Sequence, residues 1–176
     1  MKRQLRAHFR AVRHGQSHLD PLVHEHLYKL VEKFSKIALY ISMKNEVNLE
    51  SLINKLLSSK EIYLPAVQGE LVFHRLHAWT DLKPDQAHIL APIDTETIAI
   101  HELDCIIMPC IAANLQGYRL GYGGGYFDRA LAHYKGIKIG VVIENCITTE
   151  QFQESYDIPL DYVVTDQRII TITKKG

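Results

Sequence analysis

The chain has 176 residues, 47% hydrophobic and 23% charged, a balance that suits a globular fold and a single domain over 1–176. Lys plus Arg number 20 and Asp plus Glu number 20, so the formal net charge is zero; nucleic-acid binding through bulk positive charge and an acidic disordered composition are both excluded. No apolar run approaches the ~18 residues of a membrane span, the basic start MKRQLRAHFRAVRH lacks the apolar core of a signal peptide, and three cysteines (Cys105, Cys110, Cys146) without a disulfide-like framework read as buried free thiols of a reducing cytoplasm.

In chain order, Leu5, Phe9 and Val12 recur at helical spacing and predict a helix over 2–13 with cations on its other faces. A second amphipathic helix is expected over 22–34, a buried strand over 37–42 and a third helix over 48–59. Strand 62–67 (IYLPAV) is followed after Gly69 by a hairpin partner over 71–77, and 80–97 reads as loop-rich. A strand over 103–108 ends at Pro109 and leads into a glycine-dense loop. Beyond it come a helix over 125–134, a strand over 137–143, a short helix near 149–154, and strands around 162–164 and 169–173. Strands alternate with helices, and several are continuous apolar runs. That pattern predicts a mainly parallel sheet covered on both faces, an α/β fold.

Two asymmetries hide beneath the averages. Residues 1–19 carry Lys2, Arg3, Arg6, Arg10 and Arg13 and no acid, and five of the ten glycines fall between Gly117 and Gly125. The segment MPCIAANLQGYRLGYGGGYFDRAL (108–131) leaves a strand end and enters a helix, where open α/β sheets bind ligands. Glycine permits close backbone approach and positive φ, and consecutive N–H groups before a helix make an anion site. Arg119 can add a charge-assisted phosphate contact, and Asp128 can hold a metal that travels with phosphates. The loop has neither Gly-Lys-Ser/Thr nor GxGxxG spacing, so it fits neither common phosphate fingerprint. Read alone it is also compatible with a flexible turn, although a hinge has no need of Arg119, Tyr126, Asp128 and Arg129. The histidine pairs His24/His26 and His74/His77 point to opposite faces of their elements and do not form a zinc site.

RLGYGGGYFDRAL closely resembles the signature of the 5-formyltetrahydrofolate cyclo-ligase (5,10-methenyltetrahydrofolate synthetase) family. The resemblance spans nearly the whole chain. KRQLR (2–6) matches the family's Lys-x-x-Leu-Arg, Asn45-Glu46-Val47 its Glu-containing segment, IYLPAV its strand with a Pro, and DIPLDYVVTD (157–166) its Asp-x-Pro-x-Asp segment. The resemblance implies a three-layer sandwich with a mainly parallel sheet, similar to the ribose-5-phosphate isomerase/CoA-transferase-like fold. It implies an enzyme that uses ATP and Mg2+ to convert 5-formyltetrahydrofolate to 5,10-methenyltetrahydrofolate, releasing ADP and phosphate through an N5-iminium phosphate. Such chemistry needs charge neutralisation and positioning more than a protein nucleophile.

Carried over residue by residue, the resemblance assigns ATP binding to Lys2, Arg3, Arg6 and the run Arg119, Leu120, Gly121, Tyr122, Gly123, Gly124, Gly125, Tyr126 and Phe127. Lys2 and Arg6 sit i and i+4 on one helix face, which without the resemblance would read as a solvated cationic face. The metal positions are Asp128 and Asp157, and Arg119 and Tyr126 are the catalytic candidates. Substrate contacts fall to Ile41, Glu46 and Tyr122 to Tyr126, with Glu46 accepting the paired N–H donors of a pterin; Trp79 is a further candidate for packing on the folate. The implied partner is a small molecule, with no nucleic acid and no membrane, and the protein is expected to be a cytoplasmic monomer. Departures from the family pattern fall at Ala91, where Glu is common, at Ala113-Asn114, where Phe-Asp is common, and at Asn145-Cys146, where Gln is common. They motivate a second reading, a non-catalytic or degenerate folate- or nucleotide-binding member of the same fold. An RNA-binding reading of the cationic arm finds no aromatic–basic motif to support it.

Overall fold

The computed structural model describes residues 1–173. Its elements are α1 (Lys2–Arg13), α2 (Asp20–Val31), β1 (Lys36–Ala38), α3 (Glu50–Leu57), β2 (Glu61–Gln68), β3 (Glu70–Arg75), β4 (Lys83–Pro84), β5 (Leu90–Ala91), β6 (Thr97–Ile98), β7 (Cys105–Pro109), β8 (Ala112–Asn114), β9 (Arg119–Leu120), α4 (Tyr126–Leu131), β10 (Ile137–Val141), β11 (Ile147–Thr148), β12 (Tyr162–Val164) and β13 (Ile169–Thr171). Eight strands form the main sheet in the order β13-β12-β10-β7-β1-β2-β3-β6. The five central strands, β12 to β2, run parallel. The edges are antiparallel: β13 beside β12, and the β2–β3 hairpin with β6 beside it.

Cys105 to Met108 are buried at consecutive positions, as are Lys138 to Val141. Burial without alternation means that both faces of these strands are covered, the condition of a three-layer α/β sandwich. α3 packs on β2 and α2 on β12. The predicted mainly parallel sheet and the 62–67/71–77 hairpin are therefore both present, and all three cysteines are free and buried, as expected.

The short helix predicted near 149–154 does not form. That segment holds one deeply buried apolar residue, Phe152, and no helical stripe. Side chains satisfy its backbone instead: Thr148 Oγ1 accepts from Glu150 N–H, Asn114 Nδ2 donates to Glu150 O, and Asp157 Oδ2 accepts from Glu154 N–H. The strand predicted over 37–42 ends at Ala38, and the helix predicted over 125–134 shortens to the six residues of α4. The loop-rich 80–97 holds a small β4–β5 hairpin and β6. A separate three-stranded sheet, β11-β8-β9, ends in β9, from which the glycine loop departs.

From β1 the chain crosses to β2 on one side, whereas from β7 it proceeds to β10 on the other. The boundary between β1 and β7 is thus a topological switch point, and their carboxyl ends leave a crevice there.

Candidate functional site

A cavity of about 340 Å³ opens at that crevice. Tyr40 and Ile41 enter it from the segment after β1, Pro109 from the end of β7, and Pro65 and Val67 from β2. The glycine loop from Arg119 to Asp128 forms one wall, and Glu46 stands in another.

The loop wall is cationic. Arg6 Nε donates to Gly121 O at 2.6 Å, which ties α1 to the loop. Lys2 Nζ lies 2.8 Å from Asp157 Oδ2 and 3.4 Å from Glu154 Oε1. Burial would lower the Lys2 ammonium, but the bond and charge of Asp157, with Glu154, outweigh it and hold it above its ordinary value. Arg119 Nη2 sits 3.2 Å from Asp128 Oδ2, with its guanidinium over the Phe127 ring. Its Nε is buried without a protein partner among the described residues. Gly123 (φ 103°) and Gly125 (φ 69°) adopt left-handed backbone, and a Cβ on Gly125 would meet Arg129 Nη1 at 2.8 Å. These two glycines let the loop turn tightly between Arg6 and α4. α4 has only six residues, so its macrodipole is small.

The opposite wall is built around Glu46, which is 7% exposed. Asn45 turns the chain at φ 71°, and Glu46 Oε2 accepts from Met43 N–H at 2.7 Å. Burial raises the Glu46 carboxyl above the ordinary range; the Met43 N–H and a hydrogen bond from Tyr122 pull against that rise. Burial and the nearby Glu46 push the Tyr122 hydroxyl up in turn. Arg10 lies over the Tyr122 ring at 5.2 Å. Tyr122 thus caps the Glu46 carboxylate.

Every predicted site residue lines this cavity except Arg3, which is exposed on α1. Trp79 stands apart, bonded to Asn54 Oδ1 and lining a smaller hollow beside Ile41 and Leu90. The residues that depart from the family pattern lie off the cavity. Asn114 is a buried hub: Nδ2 donates to Glu150 O and Gln153 Oε1, while Oδ1 accepts from Gln116 and Tyr118 N–H. Ala91 is buried opposite Lys83 in the small hairpin.

Asp128 and Asp157 both reach the cavity, and both are already engaged. Asp128 meets Arg119 and the Ile158 N–H, and Asp157 meets Lys2 and the Glu154 N–H. Among the described residues no group of three or more His, Cys, Asp or Glu forms a protein cage for a metal. Two carboxylates facing three cations and an orphaned guanidinium N–H suit a hard cation that arrives with phosphates, since Mg2+ is usually held by one or two carboxylates plus the nucleotide.

Sequence reasoning missed Tyr40 and Asp85 in the cavity wall. Asp85 accepts from the Val67, Ala87 and Ile89 N–H groups and shapes the 85–90 segment. No local pattern marks either residue; only the long-range pairing of β2 with this segment brings Asp85 to the cavity.

The model of the 5-formyltetrahydrofolate cyclo-ligase family matches residues 1–172. The chain belongs to this family. The 5-formyltetrahydrofolate cyclo-ligase of Escherichia coli is 33% identical over 144 residues, covering 76% of this chain and 79% of that one. The Haemophilus influenzae cyclo-ligase is 31% identical over 171 residues, covering 90% of both. The NMR structure of Aquifex aeolicus 5,10-methenyltetrahydrofolate synthetase superposes with a TM-score of 0.88 at 33% identity, over 99% of this chain and 94% of that one. The cyclo-ligase fold and the sequence signature thus agree along the whole chain.

Proposed function

We infer that this protein is the ATP-dependent enzyme that closes 5-formyltetrahydrofolate to 5,10-methenyltetrahydrofolate, acting as a single catalytic domain. The observation that carries the reading is the pairing, in one cavity, of a cationic glycine wall with a buried carboxylate, in a chain matched to the cyclo-ligase family from end to end. Bound Mg-ATP supplies the phosphoryl group that turns the formyl oxygen into a leaving group.

The chain's own residues position and neutralise. Lys2 and Arg6 take the outer phosphates, held on one face of α1 and already braced against Asp157 and Gly121. Arg119, whose Nε has no protein partner among the described residues, would donate to the transferring phosphoryl, a charge-assisted hydrogen bond typically worth about 1.5–3 kcal/mol. The backbone from Leu120 to Phe127 would wrap the phosphates, and Tyr126, whose ring lies beneath Arg129, would stand beside the reacting centre. Asp128 and Asp157 would hold magnesium. Glu46 accepts the paired N–H donors of the pterin once Tyr122 releases it, and Ile41 supplies an apolar contact. Buried free thiols fit a reducing cytoplasm, and the zero net charge fits a small-molecule substrate better than nucleic acid held through bulk positive charge.

The test mixes purified protein, Mg-ATP and 5-formyltetrahydrofolate and follows the near-ultraviolet absorbance of the methenyl product. ATP-dependent product formation is expected. Folate binding without product would replace this reading with the non-catalytic one, which no feature of the cavity favours.

A further inference from the structure

Glu46 is useful only if its carboxylate is aimed into the cavity, and its aim depends on a loop that belongs to no strand or helix. Three consecutive residues of that loop are pinned by side chains from elsewhere. Arg13 Nη2 donates to Glu46 O at 3.1 Å, Tyr40 Oη donates to Val47 O at 2.8 Å, and Asp20 Oδ2 accepts from Asn48 N–H at 3.1 Å. Two of the three pins are one ion pair. Arg13 Nη2 also lies 2.6 Å from Asp20 Oδ1, and the residues are 7% and 6% exposed.

The pair is poorly built for stability. Arg13 Nε and Nη1 are buried without a protein partner among the described residues, so the guanidinium is desolvated beyond what its contacts return. A buried ion pair with unsatisfied groups is often no more stable than apolar residues of the same volume. What it does supply is direction, because one guanidinium nitrogen, Nη2, and the two oxygens of one carboxylate tie together two backbone groups on either side of Val47. Arg13 closes the same helix that carries Lys2 and Arg6 at its other end, so α1 is a single strut from the glycine wall to the Glu46 wall.

We propose that the Arg13–Asp20 pair is a positioning device that sets Glu46 for the folate side of the site. Neither residue lines the cavity; both act through the backbone of residues 46–48. The proposal rests on the reading of Glu46 as the folate acceptor.

The test measures, by titration calorimetry, the affinity of each variant for 5-formyltetrahydrofolate without ATP and for ATP without folate, together with the thermal midpoint. In the double variant Arg13→Met/Asp20→Leu the pair is replaced by apolar side chains. It is expected to bind folate tenfold or more weakly, to bind ATP within about twofold of wild type, and to keep a similar midpoint. Arg13→Lys keeps the charge but not the placement of Nη2 between Asp20 and the Glu46 carbonyl, and is expected to weaken folate about threefold; it decides the matter should the double variant fail to fold. Glu46→Gln is expected to lose folate affinity at least as strongly as the double variant. Weak folate binding by Glu46→Gln with wild-type affinity in a folded pair variant overturns the positioning role alone. Wild-type folate affinity in Glu46→Gln overturns the Glu46 assignment and the proposal with it. Equal loss of folate and ATP affinity in the pair variants marks a general structural role and likewise overturns it.

Discussion

At Glu46 the carboxyl stands above its ordinary range because burial outweighs the Met43 and Tyr122 hydrogen bonds. On the proposed role of Glu46, protonation removes the acceptor for the pterin. Affinity for 5-formyltetrahydrofolate is therefore expected to fall as pH drops through this raised value, at a higher pH than an exposed glutamate would give. The limb disappears in Glu46→Gln, as calorimetry across pH will show. The sign for stability is opposite. The folded protein holds this proton more tightly than the unfolded chain, so the contribution of Glu46 declines as pH rises from the unfolded to the folded value. Gly125→Ala forces a left-handed alanine against Arg129, costing about 1–2 kcal/mol and weakening ATP affinity, measurable by denaturant titration and by KM for ATP. At this scale the sequence was readable where a motif spells the site, as in the run from Arg119 to Asp128. It was silent at Tyr40, Asp85 and Arg13, whose roles come from what they meet across the fold.

Among the elements, β10 shows how tightly the sheet is covered. A Cβ on Gly140 would lie 2.5 Å from Leu160 Cδ1 and 2.9 Å from Cys110 Sγ. Gly140→Ala is expected to destabilise by about 1–3 kcal/mol in chemical denaturation, with little change in KM for either substrate if the glycine loop keeps its place. Periodicity located α1, α2 and α3, each of which buries a face along its own length, and continuous apolar runs located the central strands, which bury both faces. It failed at 149–154, where Thr148, Asn114 and Asp157 bond the backbone and only Phe152 is anchored. The β11-β8-β9 sheet was invisible for the same reason: strands of two or three residues carry no period, and their partners are distant in sequence.

For the whole molecule, ligands that bind only the folded state add stability by mass action. Mg-ATP at one hundred times its Kd is expected to raise stability by about 2.7 kcal/mol, seen as a higher thermal midpoint, and Lys2→Ala/Arg6→Ala to lose most of that rise. The switch point between β1 and β7 followed from the strand order, which alternating strands and helices foreshadowed without fixing. The ties of α1 reach furthest. Lys2 finds Asp157 at a separation of 155 residues, and Arg6 finds Gly121 at 115. Contacts so distant carry a loop-closure entropy that nearer ones do not, and folds rich in them form more slowly. Lys2 and Arg6 are thus expected to dock late in folding. A refolding experiment should show native sheet before ATP affinity returns, and a partly folded chain will be unable to hold nucleotide even when its glycine loop is complete.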